Sequence, residues 1–134
     1  MKLGVAGDWH GNRAWALRCV AAFAAAGITE IYHLGDFGIW PGPRGRDYLT
    51  GVDSALRANG MTIFITPGNH EDYDQINAVA TTDRGGEIGP IQWITQRIAI
   101  LPRGHRWTRA GWSFISLGGA PSVDRWSRRA GLEW

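Results

Sequence analysis

The sequence predicts an α/β domain. Three observations carry that expectation. Short apolar segments each run into a glycine and a polar turn, at LGVAGDWH, IYHLGD and MTIFITPGNHE. Stretches with helical periodicity separate them. The unit recurs at a length of about 30 residues, the size of one βαβ crossover.

In chain order, KLGVAG reads as a first strand that stops at Gly7-Asp8. NRAWALRCVAAFAAAG then has helical spacing, with Leu17, Val20, Ala21 and Ala24 on one face and Gly27 as its C-terminal cap. A second apolar segment, Glu30 to Leu34, ends at Gly35-Asp36. FGIWPGPRGR is rich in Gly and Pro and is expected as a loop, with Asp47 capping a second helix that runs through Asn59. Leu49, Val52 and Leu56 share that helix's apolar face, and Gly60 closes it. Met61 to Thr66 is the third strand. Further on, Arg97 to Leu101 and Trp112 to Leu117 are expected as an antiparallel pair around a turn rich in Gly and Arg. Right-handed βαβ crossovers make the first three strands parallel, so all three polar turns fall on one edge of the sheet. Open α/β sheets place their ligands there.

A chain of 134 residues suits one domain, 1–134. Hydrophobic content of 44% against 19% charged is globular, and no apolar run approaches the roughly 18 residues of a membrane span. MKLGVAGDWHG runs directly into Asp8 and His10 without a small-residue cleavage site, so it reads as a strand rather than a signal peptide. The single cysteine, Cys19, has no internal disulfide partner and points to a reducing, cytoplasmic compartment. Charge is uneven. From residue 97 onward seven arginines face only Asp124 and Glu133, whereas the first 96 residues carry seven basic and ten acidic groups. A solvated face is the ordinary reading of such an end, with phosphate-bearing partners as the sharper one.

The turns hold Asp8-x-His10, Gly35-Asp36 and Gly68-Asn69-His70-Glu71. Any one of these acidic or amide residues alone is most often a helix cap or turn former. Together they form a mixed oxygen and imidazole set suited to Mn²⁺, Zn²⁺, Fe²⁺ or Mg²⁺. A carboxylate on the central strand, Asp36, is placed to bridge two ions, and the glycines at 7, 35 and 68 let the backbone turn closely beside each ligand. Arg44 and Arg46 follow the bridging position within reach of a phosphate, Asn12 and Arg13 sit beside the first turn, and His33 reads as a packed strand residue. Glu71, Asp72 and Asp74 open a short segment as helix N-terminal acids, with Glu71 at most a support for His70.

GDWHGN, GDFG and GNHE resemble the first three motifs of the calcineurin-like metallophosphoesterase family, over about the first 75 residues. The resemblance implies a sandwich fold with a βαβαβ parallel half plus antiparallel strands. It implies two divalent metal ions (Mn, Fe, Zn, Ni or Mg), held by Asp8 and His10 on the first, Asp36 between them and Asn69 on the second. His70 is then catalytic, protonating the leaving group or stabilising the transition state while a water held between the ions attacks phosphorus. The family's later histidine motifs have no counterpart, because no histidine follows His105, itself expected on a hairpin surface. The chain is therefore expected to be a C-terminally incomplete member, with part of the sandwich missing, a weak second metal site and impaired hydrolysis of phosphomonoesters or phosphodiesters. Apolar surface near Trp112 and Phe114 is expected to lie exposed or to be covered by a second copy. The competing expectation is a nucleotide-binding or degenerate protein of the same fold that acts by contact alone. The substrate remains open among nucleotides, nucleic-acid ends and phosphoproteins.

Overall fold

Asn12 stops the first loop and starts the first helix: its side chain accepts from the Trp15 amide at 3.1 Å. In the computed structural model, which describes residues 1–123 and 125–127, β1 (Gly4–Ala6) leads through this cap into α1 (Arg13–Ala25), then β2 (Glu30–His33), α2 (Gly42–Ala58) and β3 (Thr62–Ile65). A short α3 (Tyr73–Asn77) follows, then β4 (Thr81–Thr82), β5 (Ile91–Trp93), β6 (Ile98–Ile100), β7 (Arg106–Arg109) and β8 (Trp112–Ile115). Asp124, Arg128, Arg129 and Glu133 of the basic end lie outside the described residues. No helix among the described residues is long and apolar enough to cross a membrane.

Two helix expectations change. The buried residues of α1 are Ala16 and Val20, with Cys19, Phe23 and Ala24 packed beside them, while Ala21 faces solvent. The contact face is thus turned relative to the predicted stripe, because α1 lies against α2 as well as the sheet. Helix α2 begins five residues before Asp47, inside the segment expected as a loop. Pro43 explains this: in a first helical turn its missing N–H leaves nothing unpaired, and its fixed φ is already helical. Asp47 is then an interior residue that pairs with Arg13 at 3.8 Å. Leu49, Val52 and Leu56 are buried as the spacing required.

The main sheet has six strands in the order β1-β2-β3-β6-β5-β4. Parallel register pairs Val5 with Tyr32, Tyr32 with Phe64 and Phe64 with Ala99. Strand β6 therefore extends the parallel sheet instead of pairing with β8. Its three residues, Ile98, Ala99 and Ile100, and Leu101 just after them are buried, as a central strand covered on both faces must be. The antiparallel partner of β8 is β7, joined by Ala110 and Gly111, both at positive φ (51° and 80°), which makes a tight two-residue hairpin.

Strand alternation builds two cores. Ile31, Ile63, Ile65, Ile98 and Ile100 meet α1 and α2 on one face. Tyr32, Phe64, Ala99 and Leu101 meet the β7-β8 hairpin on the other. There the Tyr32 ring stacks on Phe64, Trp107 and Phe114 at centroid distances of 5.4, 5.6 and 6.2 Å. Arg109 pins the hairpin down: it pairs with Glu30 on β2 and, at 3.1 Å, with Glu87. His105 lies in the turn before β7 rather than on the hairpin surface. It is half-buried, its Nε2 2.7 Å from the Ile88 carbonyl.

Candidate metal centre

Because β1, β2 and β3 are adjacent and parallel, their exits lie side by side. Backbone pairing continues past the strands: Asp8 N donates to Gly35 O, His10 N to Asp36 O and Gly11 N to Phe37 O, at 3.0, 2.8 and 3.0 Å. Only four non-glycine residues among those described have positive φ, and three are Asp8 (57°), His10 (46°) and Asp36 (53°). Left-handed backbone costs a side-chain-bearing residue about 1–2 kcal/mol. The strain is concentrated on the three side chains that the turns bring together.

Those side chains converge. His10 Nε2 is 3.5 Å from Asp8 Oδ1 and 4.0 Å from Asp36 Oδ2, and one donor atom from each residue lies within 4.8 Å of the others. Atoms ligating one ion at about 2.1 Å are separated by at most roughly 4 Å, so small side-chain rotations close the set around a cation. The donor types, two carboxylates and an imidazole, fit a divalent ion. Asp36 is the deepest of the three, its side chain 15% exposed against 79% for Asp8. Its second oxygen, Oδ1, accepts from the His70 amide at 3.0 Å, so its carboxylate spans the first and third loops. Asn69 borders the same small cleft as Asp8 and Asp36, about 150 Å³, whose far wall is Leu117 to Ala120. The His70 ring stands 5.6 Å from that of His10, nearly perpendicular. Its carbonyl accepts from Trp40 Nε1 at 3.0 Å.

Two glycines close this arrangement. A Cβ on Gly68 would lie 2.1 Å from Asp36 Oδ1, and one on Gly118 would lie 2.2 Å from Pro67 O. Gly7 differs from expectation: a side chain there would meet only Leu34 Cβ at 3.9 Å, so ligand approach does not require it.

Glu71 carries more than the sequence indicated. Fully buried, its carboxylate accepts backbone N–H groups from Phe37 (3.1 Å), Gly38 (2.9 Å), Ile39 (3.3 Å) and Gly68 (3.2 Å). It locks the loop after Asp36 to the loop before Asn69. Asp72 caps α3 through the Asp74 and Gln75 amides, as expected of a helix N-terminal acid. His33 is packed edge-on against Trp9 and Phe37, at 4.9 and 5.1 Å, with no hydrogen-bond partner on either nitrogen among the described residues. Burial, and secondarily the charge of His10, push its pKa down to about 3. Of the loop cations, Arg44 and Arg13 line a cleft beside His10 and Arg46 does not.

A family model for calcineurin-like phosphoesterases matches residues 1–127. The chain belongs to this family. Members are generally phosphoester hydrolases that use divalent metals, and the mostly parallel sheet with antiparallel additions is consistent with the fold. Comparison with curated proteins and with solved structures gave no significant match. Asp8, His10 and Asp36 are the one cluster of three potential metal-ligating side chains among the described residues of this family member.

Proposed function

We propose that this calcineurin-like phosphoesterase hydrolyses phosphomonoesters or phosphodiesters at a dinuclear centre, with Asp8, His10 and Asp36 holding the first ion and Asp36 and Asn69 the second. The observation that supports it is the convergence of Asp8, His10 and Asp36 from two different strand exits. When bound, divalent ions neutralise phosphoryl charge and make a nucleophile available from water at neutral pH. The chain's own residues then divide the remaining work. Asp36 would be shared by the two ions, its carboxylate held in place by the His70 amide. His70, its backbone fixed at both ends by Asp36 and Trp40, presents its imidazole to the leaving-group oxygen and gives it a proton. Among the described residues the second position has only Asp36 and Asn69, so its ion is held more weakly than the first. The lone cysteine favours a reducing, cytoplasmic setting, and burial holds the Cys19 thiol pKa above its ordinary value.

The test is hydrolysis of bis(p-nitrophenyl) phosphate with added Mn²⁺, beside metal analysis of protein purified without chelator. Asp36→Ala is expected to lower the rate by at least about 100-fold, in line with loss of a metal-supporting group. Activity that persists in Asp36→Ala, or that ignores chelator, excludes this reading. A nucleotide that binds without turnover in chelator instead favours the contact-only alternative.

A further inference from the structure

A second cleft, of about 530 Å³, opens on the other side of His10. Its volume lies in the range that encloses a small organic molecule, and His10 belongs both to it and to the metal cluster. Anything seated in it has one end at the metal centre.

The walls are built rather than incidental. Trp40 is fixed twice: its Nε1–H donates to the His70 carbonyl, and its ring edge lies where a Cβ on Gly11 would be, at 2.8 Å. An immobilised indole supplies a flat apolar wall of the kind on which nucleobases stack. Arg13 is fixed as well. It pairs with Asp47, and its Nε lies 2.3 Å from the position of a Cβ on Gly51, so the stem is laid across α2. Arg44 differs from both. It is exposed in the cleft wall and has no ion-pair or hydrogen-bond partner among the described residues. With Arg13 answered by Asp47, Arg44 leaves one positive charge unbalanced, a few ångströms' reach of guanidinium suited to a phosphate.

We infer that this cleft holds the organic part of the phosphoester and selects a nucleoside carrying a second phosphate, its base along Trp40 and that phosphate on Arg44. The inference rests on the proposed hydrolysis for its orientation, because the scissile phosphate occupies the metal end. Asn12 and Asp47 border the remaining space and provide hydrogen-bonding groups for the sugar or base edge.

The experiment compares adenosine 3′,5′-bisphosphate with adenosine 5′-monophosphate, which share base and sugar and differ by one phosphate. With Mn²⁺ present, kcat/KM for the bisphosphate is expected to exceed that for the monophosphate by about tenfold, the worth of one charge-assisted contact. Arg44→Gln brings the ratio to about one, and Arg44→Lys keeps part of it. Equal handling of the two nucleotides by the wild-type protein overturns the inference, as does a preference that survives Arg44→Gln. Calorimetric titration with the same two nucleotides reads the cleft without turnover. Protein that hydrolyses neither compound, nor a nitrophenyl phosphate, yet binds the bisphosphate more tightly in an Arg44-dependent way, removes the hydrolytic reading and keeps the cleft. Hydrolysis of nitrophenyl phosphate without nucleotide preference removes the cleft alone.

Discussion

His33 sits on β2 three residues before Asp36, buried, with both ring nitrogens unpaired among the described residues. A buried polar group without a partner costs about 1–3 kcal/mol. Its environment is a slot between Trp9 and Phe37 that refuses charge, which is why the pKa falls to about 3. In the unfolded chain the same imidazole titrates near the ordinary histidine value of 6.5. Between those two values the unfolded state binds a proton that the folded state does not, so stability falls as pH falls, by about 1.4 kcal/mol per unit. Above about pH 6.5 both states are neutral and the dependence vanishes. His33→Leu removes the unpaired nitrogens and the titration together. Urea unfolding is expected to show equal or greater stability than wild type at pH 7, by about 1 kcal/mol, and a flatter decline toward pH 4.5. A variant with the wild-type pH slope counts against His33 as the source.

At the scale of elements, what the sequence made legible was whatever repeats locally. Three apolar runs ending in Gly-polar turns announced β1 to β3, and the turn residues Asp8, His10, Asp36 and Asn69 lie at one sheet edge. The start of α2 was hidden because Gly and Pro punctuate loops more often than they open helices, and only the position of Pro43 within the first turn distinguishes the cases. The partner of β8 was hidden because β7 reads Arg-Trp-Thr-Arg, without the apolar run that marks Ile98 to Leu101, and so passed for part of the Gly- and Arg-rich turn; the positive φ of Ala110 and Gly111 decides the hairpin. Glu71 was hidden for a different reason. Its partners are backbone amides some thirty residues upstream, and main-chain donors leave no mark in a side-chain pattern. Its carboxylate is nevertheless what joins the β2 and β3 exits. Glu71→Gln replaces one acceptor oxygen with an amide group that faces N–H donors. The expected cost is about 2 kcal/mol in urea unfolding, with weakened Mn²⁺ binding by calorimetry as Asn69 and His70 lose their register to Asp36. Wild-type stability and metal affinity in Glu71→Gln exclude this account.

On the whole molecule, the second core is covered unevenly. Phe114 and Trp107 shield Tyr32, but Val5, level with Tyr32 on the edge strand β1, is 61% exposed, and Leu34, just past the end of β2, is 65% exposed. Trp112 at the start of β8 and Leu117 two residues past its end are 73% and 64% exposed. Strand β1 has β2 on one side and no partner on the other among the described residues, so an apolar patch adjoins an open sheet edge. A second copy meeting β1 with its own β1 across a two-fold axis would satisfy both features at once. The nearby charges do not drive such a contact, since Arg109 is already engaged by Glu30 and Glu87. Sedimentation velocity across a concentration series is therefore expected to show reversible self-association that persists in high salt, because burial of apolar surface is not screened. Val5→Lys places a charge at the centre of β1, where it neither enters a core nor touches the metal cluster, and is expected to shift the protein to monomer. A wild-type monomer at all concentrations, or association that disappears with added salt and ignores Val5→Lys, shows that this face stays solvated.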